Sequence, residues 1–400
     1  MNYPKTGPYQ VQGLDQWRAA NLAVEEINAA GGILGRQVEI VWRDSRSRAD
    51  VSARNVADLI DNEGVRMVFG GASSAVAVAA GRVCQEKGVT YFGTLTYSTA
   101  TTGVDGHRHT FRECSDAWMS AKAIADHLNQ SHAGQTYFYI TADYTWGHTT
   151  EASLRELTQT TDADAHQIFI LPFPGTSDED FEKALAFAQA REPDVLVLVL
   201  FGNDMVTCVR HANAMGLKQK TQIVVPNLTL GMAEGAGPDV MEGIIGSVPW
   251  CWKVPYQYDY PKGKAFVETF AERHGRYPST SGASAYTIVH QYKEAVERAG
   301  SFASCEVVKA LEGHIYTCLK DEQYWRPFDH QSVQTVYAVT CQPAEIVLRD
   351  PYRLDYFKLL GSTSGKEGAI SLTQWRRSRL AAGKAPRLEA LPVESRLATR

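Results

Sequence analysis

Short apolar runs rich in Val, Ile, Phe and Tyr punctuate the first 250 residues: VEIVW from Val38, RMVFGG from Arg66, VTYFG from Val89, TYFYIT from Thr136, HQIFIL from His166, DVLVLVL from Asp194, TQIVVPN from Thr221 and GIIGSV from Gly243. Continuous runs of this length read as buried strands. Between most of them lie stretches of helical period, such as Leu14, Trp17, Ala20, Val24 and Ile27, which share one helix face. Alternating strand and helix predicts an α/β fold with parallel sheets covered on both faces. A long helical stretch from Ser115 to Gln130 splits the runs into two sets, which predicts two doubly wound lobes. After Trp252 the pattern is mainly helical, until a strand-like QTVYAVTC from Gln334. The last 30 residues, rich in Arg, Ala, Pro and Glu, read as a surface helix followed by a loose tail.

Composition narrows the classes of function. Four hundred residues with 44% hydrophobic and 21% charged content suit a globular chain with two or three cores. The net charge is −5 and the basic residues are scattered, so nothing points to nucleic acid or to an anionic membrane. No run of about 18 apolar residues predicts membrane insertion, and MNYPKTGPYQ lacks the pattern of a secretory signal. Seven cysteines form no CxxC pair and no metal-like cluster with histidine, and their odd number forbids complete internal pairing. No metal or cofactor is expected.

Several segments, in order, carry a family resemblance: TGPYQVQG from Thr6, AVEEINAAGGILGRQVEIVWRDS from Ala23, FGGASSAVAVA from Phe69, ITADYTWGHT from Ile140, DEDFEKALAFAQAREPDVLVLV from Asp178 and RPFDHQSVQTVYAV from Arg326. Over roughly residues 6 to 360 the chain resembles the type I periplasmic solute-binding proteins of ABC transporters, in the branched-chain amino acid, amide and urea group. The resemblance implies a Venus-flytrap fold of two α/β lobes joined by three crossings near Ser115, Ser247 and His330. It implies lobes of residues 1–116 plus 248–330 and 117–247 plus 331–370, with 371–400 as an extension or tail. It also implies a periplasmic address, hinge closure on a small-molecule ligand and ABC permease subunits as partners. One departure is expected to matter: only MNYPK precedes Thr6, where relatives have an apolar first strand, so that strand is expected to be missing, with the natural product starting upstream.

Ligands of open parallel sheets lie beyond the carboxyl ends of the strands, near free helix N-termini. After MVF, GGASSAV places Ser73 and Ser74 at a helix start, suited to a carboxylate or carbonyl oxygen or simply to capping. The family uses a serine there, and Ser74 matches it. After VTYFG come Thr94, Leu95, Thr96 and Tyr97; amide and urea members place a tyrosine near Tyr97. Tyr9 and Gln10 would lie at the cleft mouth, whereas Trp17 keeps the helical period and reads as core. On the other lobe the family stacks an aromatic from the loop of Tyr144 and Trp146 on its ligand. LFGNDM supplies Phe201, Asn203 and Asp204, the last suited also to capping its helix. VVPNLTLG offers Asn227 and Thr229 where amino acid binders carry an acid. An amide cannot neutralise a buried ammonium, so unless Asp204 compensates a standard amino acid is not the expected ligand. The expected solutes are amides, urea-like compounds, small carboxylates or amino acid derivatives.

Motifs for catalysis are lacking: there is no GxxxxGK[ST], HExxH or complete GxSxG, and His107 and His109 read as solvated loop residues. The chain is therefore not read as an enzyme. The competing reading is a ligand sensor of the same fold, in which closure changes contact with a regulatory partner.

Overall fold

Strands form where most of the apolar runs fall, and they gather into two main sheets. The structure is a computed structural model that describes residues 1–391. The first sheet contains β1 (Asn2–Tyr3), β2 (Arg43–Asp44), β3 (Met67–Gly70), β4 (Thr90–Gly93) and β5 (Thr110–Arg112), all parallel, in the order β2-β1-β3-β4-β5. The second contains β6 (Tyr137–Ala142), β7 (Gln167–Leu171), β8 (Val195–Val199), β9 (Gln222–Val225) and β10 (Ile245–Val248). Three short strands, β11 (Ile315–Tyr316), β12 (Gln323–Trp325) and β13 (Ser332–Val333), make a small antiparallel sheet. The chain then returns to the second sheet as β14 (Val336–Cys341) and β15 (Phe357–Thr363), giving the order β15-β14-β10-β9-β8-β6-β7. Two α/β lobes result, as the alternating pattern predicts. The second sheet is mixed, not purely parallel, because β14 runs antiparallel to both β10 and β15.

The first strand is short, and the expectation that it is missing is corrected. Asn2 pairs with Arg43 and with Gly70, so β1 sits between β2 and β3, with Met1, Asn2 and Tyr3 buried. VEIVW meets this two-residue ladder only after its end, at Arg43, and Val38–Trp42 are not strand. The Arg43 amide donates to the Met1 carbonyl at 3.0 Å, continuing the ladder.

Helices cover the sheets: α1 (Gln10–Ala29), α2 (Ala49–Asp61), α3 (Ser74–Lys87), α4 (Ala117–Ser131), α5 (Thr145–Thr158), α6 (Asp178–Gln189), α7 (Asn203–Ala214) and α8 (Leu230–Ala236). Helix α4 starts where Asp116 accepts a hydrogen bond from the Met119 amide at 2.8 Å. On α1 the predicted face is partly right: Ala20, Val24 and Ile27 are buried, but Leu14 is exposed and Gln12, Asp15 and Gln16 are buried in its place. The helix turns that polar edge toward the space between the lobes and the 20-residue helix Thr280–Ala299.

The C-terminal segment differs from expectation. A helix does form, at Leu372–Ala381, but Trp375 and Arg379 are buried in it. Trp375 Nε1 donates to the Thr102 carbonyl at 2.9 Å, and the Arg379 guanidinium donates to the Gly103 and Ala385 carbonyls. Glu389 accepts from the Arg108 amide at 3.0 Å. The segment is thus strapped to the first lobe as far as Leu391; the rest of the expected tail lies outside the described residues.

Candidate ligand cleft between the lobes

Where the chain passes between the lobes, a buried polar clasp fixes it. Between β5 and α4, the Glu113 carboxylate accepts from Gln323 Nε2 at 3.1 Å and its carbonyl from Gln334 Nε2. Lys320 Nζ donates to the Pro249 carbonyl at 2.6 Å and to that of Thr335 at 2.7 Å, tying the passage after β10 to the one before β14. Burial pushes the Glu113 carboxyl up and the Lys320 ammonium down to about 8.

In front of this clasp the first lobe presents two loops. The first follows β3. Ser73 stands at the N-cap position of α3 without a side-chain cap bond, and the Ser74 hydroxyl accepts from the Ser98 amide at 3.0 Å. The second follows β4. Thr94 donates to Gln16 Oε1 at 3.0 Å, Thr96 shares a hydrogen bond with Thr101 at 2.7 Å, and Leu95 and Tyr97 are buried. Behind this loop the fully buried Arg112 donates to the Thr96 carbonyl (3.1 Å), the Ser98 carbonyl and the Thr102 hydroxyl (2.8 Å), with Asp116 at 3.3 Å. A charge that deep is stable only when paired and hydrogen-bonded, and each nitrogen of this one has a partner, Nε reaching the Gln331 side-chain amide oxygen at 2.5 Å.

The second lobe answers with aromatics. Tyr144 packs on Phe173 with centroids 4.3 Å apart, and Trp146 meets Phe201 edge-on at 5.8 Å. Tyr9 of the first lobe inserts between them: its ring lies 5.4 Å from Phe201 and 6.4 Å from Phe173, and its hydroxyl is 3.4 Å from that of Tyr144. Tyr97 reaches Phe201 from the same side at 6.1 Å. Six rings from both lobes therefore form one cluster. Burial raises the phenols of Tyr9, Tyr97 and Tyr144 far above their ordinary value, so all three remain neutral hydrogen-bonding groups.

Polar contacts also cross the gap. Gln12 Nε2 donates to Thr229 Oγ1 at 3.4 Å, and Thr149 Oγ1 donates to Ser98 Oγ at 3.2 Å. Thr229 also caps α8. Close approach needs glycine twice. A Cβ at Gly202, whose φ is +62°, would lie 2.6 Å from the Tyr9 ring, and one at Gly231 would lie 2.5 Å from Val11. The lobes are closed on each other.

Of the residues expected at the site, Tyr9, Ser73, Ser74, Thr94, Leu95, Thr96, Tyr97, Trp146, Phe201, Asn227 and Thr229 are all buried where the lobes meet, with Tyr144 and Asp204 half-buried beside them. Asn203 is different: it is exposed as the first residue of α7. Asn227 is occupied by the protein, accepting from Trp146 Nε1 at 3.3 Å and donating to Ser120 Oγ at 2.8 Å. Asp204 does not cap α7, whose N-cap is Gly202. Trp17 stacks on Tyr3 at 5.6 Å, away from the cluster. The reading of His109 as a solvated loop residue is corrected: it is buried, with Nδ1 3.3 Å from the Ser304 hydroxyl, because β5 packs it against the helix that starts there.

Sequence reasoning missed four residues. Phe173 follows β7 in a Pro- and Gly-containing loop, Gln12 looks like a surface position of α1, Trp250 follows β10 in a segment read only as a crossing between lobes, and Thr280 opens a helix away from any strand end. Gln12 Oε1 and Trp250 Nε1 are buried without a hydrogen-bond partner among the described residues. Thr229, Trp250 and Thr280 line one small cavity, and Thr280 adjoins the Tyr97 hydroxyl. An unpaired buried polar atom costs about 1–3 kcal/mol, so these atoms mark where a polar solute or water gains most.

Comparison with known proteins agrees with this architecture. A Leu/Ile/Val-binding protein homolog 7 of Brucella abortus (strain 2308) is 26% identical over 328 residues, covering 77% of this chain and 79% of its own length. A periplasmic binding protein of Burkholderia mallei superposes with a TM-score of 0.82 at 21% identity, over 92% of this chain and 95% of that one. An amino acid ABC transporter substrate-binding protein of Pseudomonas fluorescens Pf-5 gives 0.81 at 22% identity, over 92% and 98%. The sequence profile of the periplasmic binding protein family matches residues 1–345, and the chain belongs to that family.

Proposed function

We propose that this protein is the solute-binding component of an ABC importer, closing in the periplasm around a small polar solute and presenting it to permease subunits in the membrane. The observation that carries this reading is the six-ring cluster built from both lobes, which only closure can assemble. Lobes of 1–116 plus 248–330 and 117–247 plus 331–370, hinged near Ser115, Ser247 and His330, would give that motion. No helix among the described residues is long and apolar enough to cross a membrane, so delivery is assigned to partner subunits.

In this reading the Ser73 and Ser74 turn, the start of α3 and the Thr94–Tyr97 loop receive the oxygen-rich end of the solute. Tyr9, Tyr144, Trp146 and Phe201 wall its other end. Amides, urea-like compounds, small carboxylates and amino acid derivatives fit better than leucine, because Asn227 is neutral and already engaged at both ends. The test is thermal shift of the purified protein against such a panel, with mass spectrometry of any solute carried through purification. A solute at about a hundred times its Kd stabilises by about 2.7 kcal/mol. Leucine giving the largest shift would overturn the ligand class, and no shift with any solute would overturn the function.

A further inference from the structure

The aromatic cluster carries an electrostatic imbalance. The faces of aromatic rings are negative, and cations elsewhere in this protein use them: Lys5 lies over Trp42 at 4.3 Å, Arg155 over Tyr139 at 4.1 Å and Arg326 over Phe328 at 4.3 Å. Among the described residues no Lys or Arg sits over Tyr9, Tyr97, Tyr144, Trp146, Phe173 or Phe201. A carboxylate stands beside these rings instead. Asp204 follows two residues after Gly202, whose backbone abuts the Tyr9 ring, and its charge bears on both the Tyr9 and Tyr144 phenols. It is half-buried, and among the described residues no hydrogen bond or ion pair reaches it. Burial alone raises its carboxyl to about 6, with no cation to offset it.

Six clustered aromatic rings beside an unpaired carboxylate, with no Lys or Arg over any of them among the described residues, favour positive charge at this place. We infer that the solute carries an alkylammonium head, seated among Tyr9, Tyr144, Phe173 and Phe201 with Asp204 as its counter-ion. Asp204 is then the residue that sets charge specificity. The inference rests on the solute-binding reading and narrows it to one member of its ligand class, an amino acid derivative or related solute with a methylated or otherwise alkylated nitrogen. Such a head is weakly hydrated and loses little on leaving water, whereas a primary ammonium needs three hydrogen-bond acceptors. The rings supply few acceptors and much apolar surface, which suits the alkylated form.

The test compares two solutes that carry a trimethylammonium cation with their tert-butyl isosteres, which keep the shape and lack that positive charge. Glycine betaine is measured against 3,3-dimethylbutanoate and choline against 3,3-dimethylbutan-1-ol, by calorimetry on the full chain and on D204N, a half-exposed position where the change keeps shape and removes charge. At least one cation is expected to bind about tenfold or more tightly than its isostere, with that ratio falling to near one in D204N. Phe173→Leu should weaken the same cation while leaving the melting curve close to wild type. Equal affinity within both pairs, or a preference that survives D204N, overturns the inference. So does silence toward both cations while benzoate, leucine or a short amide binds, an outcome that leaves the solute-binding reading standing. Silence toward every solute removes both.

Discussion

Asp204 has a consequence for stability that is independent of any ligand. Its folded pKa, about 6, lies above the ordinary value of 3.8, so between these pH values the folded protein holds a proton that the unfolded chain releases. The native state therefore loses stability as pH rises through that window and carries the full penalty above it. D204N carries none. The melting temperature of D204N should exceed that of wild type by more at pH 7.5 than at pH 4.5; an equal gap at both would mean that solvent already screens the carboxylate. Tyr144→Ala removes a ring stacked at 4.3 Å and a hydroxyl facing Tyr9, and it should abolish the thermal response to whichever solute the panel identifies. Residues of this kind were partly legible. Ser73, Ser74 and Thr94–Tyr97 follow apolar runs directly, and a strand's end is where an open parallel sheet exposes side chains. Phe173 also follows a strand, but in a Pro- and Gly-containing loop at the sheet edge, where sequence alone gives no reason to expect a ring turned inward. Asn227 was read as a neutral group open to a ligand, and nothing in its type foretold that Trp146 and Ser120 would take both ends of its amide.

Elements were legible where their pattern was continuous. Nine runs were predicted as strands and eight form them; VEIVW does not, since the ladder with β1 starts only after it, at Arg43. Strand β15 escaped notice because FKLLGST is an edge strand whose inner residues are largely exposed, so it carries no apolar run. The C-terminal helix was visible but its docking was not. In LTQWRRSRLA only Trp375 and Arg379, four residues apart, face the protein, and one ring beside one guanidinium is too small a signal among exposed arginines. Trp375→Ala should cost about 3 kcal/mol, as large-to-small changes at buried aromatics do, and calorimetric melting would measure it. Hydrogen exchange should rise in residues 98–106 of the same variant, since Trp375 and Arg379 hold that stretch by its carbonyls. At the lobe contact, Gly202→Ala places a methyl group against the Tyr9 ring at a positive φ. Small-angle scattering should report a larger radius of gyration for this variant than for wild type, and an unchanged radius would show that Tyr9 can step aside.

Across the whole molecule the two-lobed plan was readable from the break in the run of strands, whereas the clasp between the lobes was not. Glu113, Lys320, Gln323 and Gln334 are unremarkable polar residues until the fold brings three distant stretches of chain together, and no local pattern marks such a meeting. Lys320→Met keeps the aliphatic stem and leaves two buried carbonyls unpaired, so a loss of about 1–3 kcal/mol is expected, again read from the melting curve.

The strap along the first lobe also bears on synthesis. Strands β6 to β10 of the second lobe leave the ribosome as one stretch, from Tyr137 to Val248, and already span the middle of their sheet. The first lobe starts earlier and finishes later. Its opening strands come within the first 112 residues, and the carbonyls of Thr102 and Gly103 wait for Trp375 and Arg379. The lobe that begins the chain is therefore the last to be completed, and a nascent chain stalled before Trp375 holds its Thr102–Gly106 stretch without the brace that the finished protein places on it.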